Sequence, residues 1–172
     1  MGSVALPANI KNGARFLFPA LTWRSFCRTF SLVVMPVKNP VRKKLTRSAQ
    51  RDLDIRIEFI EGLVRREPDY VDALQLLGDH YTQRGRYTEG LQVDERLARL
   101  QPEEPLVFYN LACSYALTDQ FDRATLALDK ALNLGYRDFT WLAQDPDLFK
   151  LRQQPVYRGI EDKIRRMKIN VG

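Results

Sequence analysis

Leu77-Gly78-x-x-Tyr81 and Leu111-Ala112-x-x-Tyr115 are one five-residue pattern written twice, 34 residues apart. The same offset relates Tyr87 to Phe121, Gly90 to Ala124, Leu97 to Ala131 and Leu100 to Leu134. A period of that length points to stacked helical hairpins, in which each layer covers the next and every slot has a fixed depth. Residues 71–102 and 105–136 are then two successive helix pairs. Gly85 stops the first helix, because glycine enters the left-handed conformation of a helix end without steric cost. Asp119 stands at the equivalent turn of the second pair. Pro68 lies 34 residues before Pro102. Residues 52–66, with Leu53, Ile57, Ile60, Leu63 and Val64 at three- and four-residue steps, therefore take the place of a second helix in a preceding pair whose first helix is missing. A lone helix there covers the apolar end of the stack.

The spacing of both copies resembles the tetratricopeptide repeat (TPR). The resemblance implies an all-α, right-handed α-solenoid of stacked antiparallel helix pairs. The second copy is closer to the family pattern, with Phe108, Leu111, Ala112, Tyr115, Phe121, Ala124, Leu128 and Ala131 in their slots. The first departs from it at Gly90, where an alanine is usual, and at Asp94, which holds an aromatic slot. Those two changes suggest a looser helix pair or a contact surface at Asp94. Residues 137–168 resemble the closing segment that follows the last repeat in many bacterial TPR proteins. Asp145 can cap the helix that Pro146 opens, and Trp141, Leu148, Leu151, Tyr157 and Ile160 can cover the exposed face of the second repeat. A metal reading of Asp145 and Asp147 lacks a third ligand nearby.

Charge is unevenly spread. Residues 1–51 hold ten Lys/Arg and no acid; residues 52–149 hold ten Lys/Arg against nineteen Asp/Glu; residues 150–172 hold seven against two. The net +6 hides an acidic middle between basic ends. Residues 1–36 are apolar in two short runs interrupted by Arg24 and Arg28, too short for a membrane span. An acid-free tract with arginine and serine resembles an organelle transit peptide. The competing expectation is that translation starts at Met35, leaving residues 1–34 outside a cytoplasmic protein. Residues 37–51 form a basic arm, with Lys38, Arg42, Lys43, Lys44 and Arg47 available to nucleic acid or an anionic membrane. No aromatic residue interleaves there for base stacking, which favours a solvated tail.

No catalytic constellation emerges. His80 is the one histidine, Cys27 and Cys113 belong to no metal or redox spacing, and no phosphate-cradling glycine loop is present. The expectation is a soluble, non-enzymatic adaptor without cofactor or metal, recognising a protein partner. By resemblance to the family, the inner face is lined by first-helix positions, here Asp72, Gln75, Asp79, Thr82 and Gln83, then Leu106, Tyr109, Asn110, Cys113 and Ala116. Asp72, Gln75, Asp79, Gln83, Tyr109, Asn110 and Cys113 are the groove candidates. The cationic residues with which some TPR proteins clamp a terminal carboxylate are absent, so a basic or amphipathic helical segment suits this groove better, with a homo-oligomer as a further possibility.

Overall fold

A computed structural model describes residues 45–169 of the 172-residue chain. Five long helices follow one another: α1 (Arg47–Arg66), α2 (Val71–Arg84), α3 (Tyr87–Leu100), α4 (Pro105–Leu117) and α5 (Phe121–Leu134). Three shorter ones close the chain: α6 (Phe139–Gln144), α7 (Phe149–Arg152) and α8 (Arg158–Ile169), with 3-10 turns at Pro146–Leu148 and Pro155–Tyr157. No strand occurs among the described residues. Each of α1 to α5 packs on the next, so the architecture is the all-α solenoid of stacked helix pairs that the period implies.

Local chemistry sets the breaks. Thr46 accepts from the Ala49 amide and starts α1. That start is five residues earlier than the hydrophobic pattern suggests, so Arg47 and Arg51 are helical rather than part of a free arm. Lys38, Arg42, Lys43 and Lys44 lie outside the described residues. Gly85 (φ 84°) and Gly135 (φ 112°) end α2 and α5 in the left-handed region, and Asp119 (φ 60°) does the same work after α4.

The packing repeats with the sequence. Tyr81 donates to Glu61 at 2.7 Å, and 34 residues on Tyr115 donates to Glu95 at 2.8 Å. Each bond ties a first helix to the second helix of the pair before it. Arg86 lies over the Tyr81 ring and Arg123 over the Tyr115 ring, with centroid distances of 4.6 and 4.3 Å. The first helix pair is not loose. A Cβ on Gly78 would meet Asp94 Oδ1 at 3.0 Å, and one on Gly90 would meet Tyr81 Cβ at 3.6 Å. The two glycines let α2 and α3 cross closely, and the missing methyl of Gly90 is compensated by proximity rather than by a gap.

The closing segment seals the C-terminal end. Leu142, Leu148, Leu151, Tyr157 and Ile160 join Leu128, Ala131 and Leu132 in one buried cluster. Trp141, expected in that seal, is instead exposed, because the helix that Asp138 caps turns Leu142 inward. Among the described residues no helix is long and apolar enough to cross a membrane.

Candidate protein-binding groove

Between α2, α4 and the turn at 145–147 lies a groove of about 360 Å³. Gln75, Asp79, Tyr109, Asn110 and Cys113 of the expected set line it, as do Asp94, Ser114, Trp141, Asp145 and Asp147. Among the described residues no lysine, arginine or histidine lines it. The expected residues fare unequally. Gln75, Asp79 and Asn110 are exposed and face the opening. Gln83 does not line the groove; its side chain donates to Asp79 at 2.8 Å and holds that carboxylate from the next turn of α2. Asp72 lines a separate groove, shared with α1. Seven residues are nearly two full turns, so Asp72 and Asp79 share a face of α2 to within about 20°; what differs is their place along the helix, Asp72 standing in its first turn.

Tyr109 and Cys113 line the floor and are committed to the chain itself. Tyr109 donates to Asp145 Oδ2 at 2.6 Å, and the Cys113 thiol approaches the same oxygen at 3.7 Å. Asp145 Oδ1 accepts from the Asp147 amide at 2.9 Å, which is the cap that its place before Pro146 suggests. Asp145 is only 4% exposed. It thus does two jobs, capping the turn and anchoring it against α4. The Tyr109 ring also stacks on Tyr136, with centroids 4.2 Å apart.

Burial sets the protonation of these groups. It raises the Tyr109 phenol far above its usual range, helped by Cys113 and Asp145. It also raises the Cys113 thiol, with Asp145 and Asp147 adding to the effect. Cys113 is therefore held as a neutral thiol and Tyr109 as a hydrogen-bond donor. Burial pushes the Asp94 carboxyl up to about 6, against a lowering by the Ser114 hydrogen bond and with a further rise from Asp79. Asp94 accepts from Ser114 Oγ, which ties α3 to α4 beneath the groove. The sequence marks Asp94 as a departure from pattern and suggests a contact surface; the structure buries it instead. Its neighbour Gly78 is the signal that an acid is housed there rather than displayed. Among the described residues no three His, Cys, Asp or Glu side chains converge to hold a metal ion.

No family model matches the chain. Over 96 residues it is 34% identical to a protein of Arabidopsis thaliana whose name describes it as chloroplastic, an alignment that covers 54% of this chain and 27% of that protein. The chain thus spans about a quarter of the length of the curated relative it matches.

Asp94 should make stability pH-dependent. Its folded-state value, about 6, lies above the ordinary 3.8, so the proton is held more tightly in the folded chain. The cost is absent below pH ~4, grows as pH rises through ~6, and is complete above it. Asp94→Asn is expected to raise unfolding stability by on the order of 2 kcal/mol at neutral pH. In urea titrations at a series of pH values, that gain should shrink to nothing as pH falls to about 4.

Proposed function

We propose that this chain is a non-enzymatic, TPR-type protein-binding module whose groove between α2 and α4 receives a basic, helical segment of a partner protein. The observation that carries this reading is the lining itself: Asp79, Asp94 and Asp145 line one opening, and among the described residues no lysine or arginine lines it. Asp94 and Asp145 are fixed by hydrogen bonds beneath the surface. Asp79 and Asn110 stand at the opening, where an arginine or lysine of a ligand can meet them. The groove is near the lower end of ligand-site volumes. Binding through it alone is correspondingly modest. Tyr109 and Cys113 serve as its floor rather than as contacts, because their polar atoms are already directed to Asp145.

Delivery to an organelle is the second reading, favoured over a cytoplasmic one by two observations. Residues 1–51 are free of acid and rich in arginine, and the relative's printed name places that protein in the chloroplast.

Two measurements test these readings. A fluorescent amphipathic peptide with arginines on one helical face should bind the full chain by anisotropy, while its glutamate counterpart should not. Asp79→Arg should weaken the arginine peptide by about 10-fold or more; unchanged affinity would remove the groove from the account. Mass spectrometry of the endogenous N-terminus should find a cleaved, non-methionine start downstream of Arg28, and a start at Met35 would point back to the cytoplasm.

A further inference from the structure

α1 and α2 enclose a second groove, apolar and about 730 Å³, at the N-terminal end of the stack. Its walls include Ile55, Phe59, Leu63, Tyr70 and Leu76, with His80 among them. The repeat provides an internal template for what belongs there. One period on, Phe59, Leu63 and His80 correspond to Val93, Leu97 and Ser114 on α3 and α4. That slot is filled by α2: Gly78 rests against Val93 and Asp94, and Leu77 shares a buried cluster with Val93, Leu97 and Val107. Val93 is 9% exposed beneath α2, whereas Phe59 is 69% exposed and Ile55 66%. The N-terminal slot has the walls of a helix site and no helix of the described residues in it.

Two further observations concern this slot and the depression that adjoins it on α1, which shares Ile55, Phe59 and Leu63 with it and adds Gly62. The Nδ1 atom of His80 is buried and has no hydrogen-bond partner among the described residues. Gly62 lies in the interior of α1, where glycine costs about 1 kcal/mol relative to alanine. Its added Cβ would meet nothing but the Arg65 guanidinium, at 3.7 Å. At Gly78 and Gly90, glycine marks a close helix crossing; at Gly62 the crossing helix is missing.

We propose that a second copy of this chain fills the groove, the two α1 helices packing antiparallel about a two-fold axis. The outer stripe of α1, Phe59-x-x-Gly62-Leu63, carries the aromatic, glycine and leucine that α2 presents to α3 through Tyr81, Gly78 and Leu77. α1 therefore offers both the groove wall and a matched occupant. Charge agrees with self-pairing. Asp52 and Arg66 lie seven residues on either side of Phe59, neither with an ion-pair partner among the described residues. An antiparallel pair centred on Phe59 brings Asp52 of each copy to Arg66 of the other. The opposite end of the stack is sealed by the closing segment. Association through the single open end stops at two copies instead of extending into a filament.

Sedimentation equilibrium of the full chain, over micromolar to millimolar concentration, tests the proposal. The expected result is a particle of twice the 20.0 kDa chain mass. Phe59→Glu should weaken self-association by about 100-fold or more while leaving the circular dichroism spectrum unchanged, since this side chain faces out of the fold. Gly62→Leu gives a second reading: it improves helix propensity and should raise the monomer's thermal stability, yet it should block the dimer. Leu126→Glu, at an exposed leucine of α5 away from the groove, should leave the dimer intact. A wild-type chain that remains monomeric throughout would overturn the proposal. So would a dimer that survives both Phe59→Glu and Gly62→Leu, or one that Leu126→Glu dissociates.

Discussion

A stack of helix pairs has two apolar ends, and each must be covered; that constraint governs most of what this chain does. At the C-terminal end the cover is intramolecular. Leu142, Leu148, Leu151, Tyr157 and Ile160 close over α4 and α5, and they are held in register by Asp145, which accepts from Tyr109 and from the Asp147 amide at once. A buried carboxylate with two such donors is a strong positional lock, because leaving either donor unpaired would cost about 1–3 kcal/mol. At the N-terminal end α1 covers α2 through Leu53, Ile57 and Ile60 but leaves its own outer stripe of Ile55 and Phe59 in the open. The two ends are therefore chemically unlike, one finished and the other unfinished.

The same lock shapes the acidic groove. By drawing the 145–147 turn onto α4, Asp145 adds a wall to what would otherwise be an open face between α2 and α4. It also uses up Tyr109 and Cys113, converting two would-be contact residues into floor. On the proposed reading, recognition falls to the residues that protrude, Gln75, Asp79 and Asn110, with the buried Asp94 adding a charge that depends on pH near 6. Fold and groove are thus products of one arrangement, since the segment that seals the stack is also the segment that shapes the site.

The helical architecture is legible in the sequence for a physical reason: a 34-residue period forces equal slots, and residue size at each slot is visible in the letters. The bonds from Tyr81 to Glu61 and from Tyr115 to Glu95 follow the same period, though the partners lie 20 residues apart and no local pattern announces them. The groove is legible only in part. Helical phase identifies Gln75, Asp79 and Asn110, but it cannot show that Tyr109 and Cys113 point to an aspartate 36 and 32 residues further on. Asp145 reads as a cap because its short-range role has a sequence signature and its long-range role has none. Trp141 escapes the sequence pattern for a related reason: in a six-residue helix the inward phase is set by tertiary contact, not by a repeating pattern.

Hydrogen–deuterium exchange of the full chain at low and at high protein concentration addresses the asymmetry of the two ends most directly. The account predicts that amides of α6 to α8 exchange at the same rate in both samples, because the chain seals that end itself. Amides of α1 and of the α2 turns facing it should become more protected as concentration rises. Protection of α1 that is already complete in the dilute sample and does not change would contradict the account, as would concentration-dependent protection confined to α8.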